Sequence, residues 1–136
     1  MRLPIGSLFV LTGVFATPLQ AHHSVSGVFD VSKTVKLSGT VSRVDWINPH
    51  TFIYVDVKDD TGAVTTWKLE SLPVAMMRKA GITSQLIVSG GQPVKVEANP
   101  ARAGTANLGF VLKLTYEDGR SYQFGRTPDD KPTAVP

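Results

Sequence analysis

An all-β barrel of five to six short strands, with one short helix between the third and fourth, is the fold this sequence predicts. Apolar and polar residues alternate with period 2 in short runs along most of the chain, the mark of half-buried strands. The runs are separated by clusters of Gly, Pro, Asn and Asp, which make tight turns; the chain has 12 Gly and 9 Pro in 136 residues. Their order is three strands, a helical segment, two more strands and a terminal hairpin strand. That is the order of an OB-fold barrel, so the class is OB-fold-like. A small open sandwich is the alternative, and closure is favoured because short strands leave edges that a barrel removes.

The first 21 residues read as a leader. Met1-Arg2 is a short positive start, residues 3–16 are mostly apolar, and Thr17-Pro18-Leu19-Gln20-Ala21 breaks the run at a small residue. This is the n-, h- and c-region order of a secretory signal peptide. The apolar run is too short to span a bilayer comfortably. Cleavage after Ala21 leaves His22 as the mature terminus, followed by His23. A periplasmic or secreted domain of residues 22–125 is expected, without a stable membrane anchor and with a disordered tail at 126–136, where three prolines and charges cluster.

Within the mature chain the first strand, 35–47, is long and β-branched. Its interior Gly39 marks a bulge or tight bend, which suits a strand that must serve both sides of a barrel. Asn48-Pro49-His50 is a sharp corner, because proline pushes the residue before it out of the α region. The second strand is 52–58. Asp59-Asp60-Thr61-Gly62 turns the chain into the third, 63–70. Residues 73–80 read as the helix: Pro73 suits its first turn, Leu72, Met76, Met77 and Ala80 are spaced for a buried face, and Gly81 caps it. Residues 82–89 are ambiguous. The fourth strand is 93–98, and 99–105 a loop. The fifth, 108–116, meets a short sixth, 121–124, through Glu117-Asp118-Gly119-Arg120. Asp-Gly there favours a type I′ turn.

Composition narrows the function. There are 14 basic and 11 acidic side chains, interleaved and without a run. Nucleic acid, which asks for a basic stripe, is not an expected partner. No cysteine is present, so disulfides, thiolate metal sites and lipidation at a cysteine are excluded. No nucleophile elbow, paired carboxylates with a supporting motif or phosphate loop appears, and Gly90-Gly91 is too little for the last. The chain therefore reads as a binding module rather than an enzyme.

Ala21-His22-His23-Ser24, Gly39-Thr40-Val41 and Asp45-Trp46-Ile47-Asn48-Pro49-His50 resemble a small exported bacterial family of unknown function. That family shares an AHHS mature start and a W-x-NPH corner; Gly90, Val94, Val96 and Asp118-Gly119-Arg120 also fit. The resemblance covers essentially the whole mature chain. It implies export and a compact β domain and carries no activity. Residues 69–80 depart from it, with Pro73-Val74-Ala75 in place of a more polar connection.

Two site readings follow. In the first, an unidentified periplasmic ligand or protein docks on the face around the corner: Trp46, Asn48, His50, Phe52, Tyr54 and Trp67. Aromatics on such a face can stack on sugars or bases, while both tryptophans, set beside apolar neighbours, also suit the barrel core. In the second, Cu(II) is the cofactor and His22, His23 and His50 its ligands. A freed His22 offers an α-amine and an imidazole to one ion, and a further imidazole completes a set that suits Cu(II). Asp45, Asp56 and Glu70 are candidate oxygen ligands. Met76 and Met77 are candidate thioethers whose spacing points instead to the core. A structural role for His50 would have it bonded to a carbonyl across the corner, to Asp45 or to Asp56. A metal-dependent enzyme at the same cluster is the third and weakest reading.

Overall fold

The computed structural model describes residues 24–128. The leader, its cut after Ala21, His22, His23 and the tail from residue 129 onward lie outside those residues. The elements run α1 (Val25–Val28), β1 (Val35–Asp45), β2 (Phe52–Lys58), β3 (Val64–Glu70), α2 (Val74–Lys79), α3 (Ser84–Val88), a 3-10 turn (Ser89–Gly91), β4 (Pro93–Pro100), β5 (Leu108–Tyr116) and β6 (Ser121–Gln123).

Pairing closes five of the strands into a ring. β1 pairs antiparallel with β4 through its first half, Val35 to Thr40, and with β2 through its second half, Thr40 to Asp45. β2 pairs with β3 and β4 with β5, both antiparallel. A short parallel pairing, Lys68↔Leu108 to Glu70↔Phe110, joins β3 to β5 and shuts the barrel. β6 is an extra strand on β5. This is the expected OB-like closure, and it depends on β1 serving two neighbours.

The barrel interior is filled by alternate residues of each strand. Val41, Ile53, Val55, Leu69, Val94, Val96, Val111 and Leu114 are buried, and Met77, Ile82 and Ile87 plug the barrel from the β3–β4 connection. That connection holds two short helices where the sequence promised one. The ambiguous stretch becomes α3 because Thr83 caps it, its hydroxyl accepting from the Leu86 N–H at 3.3 Å, and because Ile87 is then fully buried. The Tyr116 hydroxyl donates to the Ile87 carbonyl and fixes α3 to β5.

In α2 the buried face differs from the expected one. Val74 and Met77 are inside, whereas Met76 is 53% exposed and Ala80 is exposed. Neighbouring positions on a helix point about 100° apart, so Met76 and Met77 do not share a face. The six-residue helix follows the i, i+3 pair instead.

The β5–β6 turn is also not type I′. That turn needs positive φ at both central residues, and here Gly119 has it while Asp118 does not. The Gly119 N–H donates to the Tyr116 carbonyl at 3.1 Å and the Tyr116 N–H to the Arg120 carbonyl at 2.9 Å. That pattern is a three-residue loop ending on a left-handed glycine. Thr127, within the stretch read from sequence as tail, is buried.

Three turns are built on aspartates that accept several hydrogen bonds. Asp30 is held at a pKa of about 2, first by the Ser32 hydroxyl and then by Lys33. The Thr61 hydroxyl leads in lowering Asp59, and the Arg120 backbone N–H in lowering Asp118. Each is depressed in the folded state, so its stabilising contribution is present above the unfolded carboxylate pKa near 4 and is lost as pH falls through the folded value. We expect the melting temperature to hold down to about pH 4 and to fall between about pH 4 and pH 2. Asp30→Asn should flatten the most acidic part of that fall; an unchanged profile in a pH series of thermal melts would remove Asp30 from the account.

Candidate functional site

The corner between β1 and β2 stands at one end of the barrel. Trp46 and Ile47 leave β1, Asn48 and Pro49 are joined by a cis peptide bond, and His50 and Thr51 lead into β2. Ile47, Asn48 and Pro49 are exposed. The inner end is not: Thr51 and Ser71 are fully buried. The Ser71 N–H donates to the Thr51 carbonyl at 2.9 Å, and the Thr51 N–H to the Leu72 carbonyl at 3.3 Å. The Thr51 hydroxyl donates to that same Leu72 carbonyl. These bonds satisfy buried polar groups beyond the ends of the β2–β3 ladder and tie the corner to the chain leaving β3.

This stitching brings His50 to Glu70, the last residue of β3. His50 Nδ1 lies 2.8 Å from Glu70 Oε1, with the two side chains 28% and 23% exposed. The approach is close but does not have the geometry of a directed N–H···O bond. Nε2 is engaged by no described residue. The partner is therefore neither a carbonyl, nor Asp45, nor Asp56. Glu70 takes the place because it is paired with Phe52, two residues beyond His50, while the two aspartates are occupied elsewhere.

Those occupations define the outer face of β1, β2 and β3. Ile53 and Val55 point into the barrel and are fully buried, so Phe52, Tyr54 and Asp56 point out. The Tyr54 hydroxyl donates to Asp45 at 2.9 Å, and Arg43 Nε lies 3.0 Å from the other Asp45 oxygen. The Thr66 hydroxyl donates to Asp56 at 2.6 Å. The Arg43 guanidinium carbon sits 3.9 Å from the Tyr54 ring centroid, and the Lys68 ammonium 4.2 Å from that of Phe52. Contact with Tyr54 leads, ahead of the charge of Asp45, in raising the Arg43 pKa above its ordinary value. Each aromatic ring thus carries a cation on one face, and a sugar or base stacking there would have to displace it.

The structure brings His50, Phe52 and Tyr54 to one end and face, with Asn48 at the exposed tip. Trp46 and Trp67 are half-buried and pack against the main core. Met77 is a core residue whose sulfur accepts from the Ser71 hydroxyl at 3.9 Å. Sequence reasoning missed the Arg43–Asp45–Tyr54 cluster. Its signal was present, since alternation puts Arg43 and Asp45 on one face of a strand that a turn returns beside Tyr54.

Among the described residues no three His, Asp or Glu side chains gather as a metal site. His50 and Glu70 are a pair. Val25 and Leu72 pack on the same small cluster of Phe29, Phe110 and Leu112, and the Leu72 carbonyl is the one that holds Thr51.

Residues 11–110 match the sequence model of a family of unknown function (DUF6152). The chain belongs to that family. No curated protein and no solved structure matches it. In this DUF6152 member the match takes in β1, the corner, β2, β3, both helices of the connection and β4, and so includes His50, Glu70 and the outer face they border.

Proposed function

We propose that this chain is an exported, non-enzymatic binding module working through the corner, and that the ligand the corner suits best is Cu(II). The observation that carries the reading is the His50–Glu70 pair. A metal-ligating histidine commonly turns its second ring nitrogen toward a carboxylate, which fixes the ring and makes the other nitrogen a better donor. At this corner Nδ1 lies 2.8 Å from Glu70 Oε1, and Nε2 is engaged by no described residue.

Export rests on the n-, h- and c-region order of the first 21 residues. Cutting after Ala21 gives His22 a free α-amine beside its imidazole, two nitrogens for one ion. His50 supplies a third, and His23 stands next in the chain. Nitrogen donors in that number suit Cu(II) among the divalent metals, and an oxidising compartment keeps copper in that state. On this reading the AHHS start and the W-x-NPH corner are the two working parts of the family. Binding is favoured over nucleophilic catalysis because the hydroxyls beside the corner are committed: Thr51 donates to the Leu72 carbonyl and Ser71 to the Met77 sulfur.

The test uses mature protein beginning at His22, its terminus confirmed by mass, titrated with Cu(II) beside His50→Ala and Glu70→Gln. A start residue left by a tag would block the amine and must be absent. His50→Ala should bind more weakly by at least about tenfold, and Glu70→Gln by about tenfold or more. Equal affinity of parent and His50→Ala would sink the joint site.

A further inference from the structure

We infer that the outer face of β1, β4 and β5 carries a second ligand site, built for a small zwitterion of amino-acid size, with Lys95 holding its carboxylate and Glu97 its ammonium group. The site shares no residue with the corner.

The strand registers lay out this face. Val94 and Val96 are buried in the barrel, so Pro93, Lys95 and Glu97 point out. Ser38, Lys95 and Thr115 stand side by side across the three strands, and Lys36, Glu97 and Lys113 make the next row. Two cavities open on these rows, of about 380 and 340 Å³. Ser38, Lys95 and Thr115 line both, and Lys36 and Glu97 line the second. Cavities of that size suit a small molecule.

The side chains select the ligand. Among the described residues none bonds to the Lys95 ammonium or to the hydroxyls of Ser38 and Thr115. Glu97 stands in register between Lys36 and Lys113 and forms an ion pair with neither. Its Oε2 is buried and has no hydrogen-bond partner among the described residues. A carboxylate drawn partly out of water and left unpaired calls for a cation beside it. An ammonium group entering the cavity supplies one. Lys95 lies two residues away on the same face, about 7 Å along the strand, where its ammonium can take the carboxylate of the same ligand. Both contacts are charge-assisted, and the two hydroxyls can donate or accept between them. Other ligands fit less well. A sugar or base asks for an open ring face, and Tyr116, the aromatic residue here, is 2% exposed. A simple anion would meet Glu97, and a simple cation would meet Lys95.

The experiment is an NMR titration of the protein, read at the amides of Ser38, Lys95, Glu97 and Thr115. The probes are two zwitterions, L-alanine and γ-aminobutyrate, whose charges are close together and farther apart, and two halves, acetate and methylammonium. At least one zwitterion should shift these amides with a Kd of about 1 mM or tighter. Each half should bind at least about tenfold more weakly, because it meets one charge and not the other. Lys95→Met and Glu97→Gln should each weaken the zwitterion by about tenfold or more, with the barrel melting as the parent does, since both side chains stand outside the core. Silence of these amides toward both zwitterions overturns the site, as does binding unchanged in both variants. Acetate as tight as the zwitterion would make Lys95 a plain anion site, and methylammonium as tight would make Glu97 a plain cation site; either result overturns the zwitterion.

Discussion

Gly39→Ala is expected to cost the barrel at least about 3 kcal/mol, a large share of the stability of a domain of this size. A Cβ at Gly39 would stand 2.2 Å from the Asp56 carbonyl oxygen and 2.9 Å from its carbon, with a Val55 methyl at 3.2 Å. The first two neighbours are backbone and cannot turn aside. They belong to β2, while Gly39 itself is paired with Val94 of β4. The next residue, Thr40, is the one paired on both sides, with Pro93 and with Asp56. β1 passes from one partner to the other at this point, and the missing side chain lets β2 come close enough for the passage. Pushing Asp56 away to make room would break the Thr40↔Asp56 pair and disturb the Thr66 bond to the Asp56 side chain. Thermal and urea melts measure the cost. A Gly39→Ala protein melting within a few degrees of the parent would show that closure does not depend on this contact.

Gly39 is also a fair measure of what sequence could show. A glycine inside a long β-branched run has few explanations, and a strand bent between two partners is one of them. The strand order was legible for the same kind of reason, since period-2 alternation and turn residues act locally. The helix after Pro73 was legible as a helix, but its buried face was not. Met76 and Met77 are equally apolar, and only the position of the barrel mouth decides between them. Asp118-Gly119 was legible as a turn but not as its type, because the loop length depends on which residues close the β5–β6 pair. The corner was legible through Asn48-Pro49-His50. The His50 partner was not, because Glu70 lies 20 residues on and reaches the corner only through the β2–β3 register. Alternation placed Arg43, Tyr54, Phe52 and Lys68 on one side of the sheet, but which ring each cation covers depends on the β1–β2 and β2–β3 registers.

Phe29→Ala is expected to free the amino-terminal segment while the barrel stays folded. The Phe29 ring packs at 5.9 Å and 50° from that of Phe110. Its cluster, with Leu112, is separate from the main core, which contains Leu69, Met77 and Leu114. Truncating a fully buried Phe costs about 3–5 kcal/mol when the surroundings must keep their places. The segment from Val25 to Lys33 need not keep its place. It is held by one anchoring ring and a short series of hydrogen bonds, each worth about 1 kcal/mol net. Once the loss exceeds what docking is worth, the segment lifts off and the penalty stops growing. The Gly27, Asp30 and Arg102 amides should then exchange nearly as in an unfolded chain, while those of β1 and β2 remain protected. The melting temperature should fall by less than in Leu69→Ala, which opens a cavity inside the closed ring. A fall as large as that of Leu69→Ala, with protection lost everywhere at once, would mean that segment and barrel are one cooperative unit.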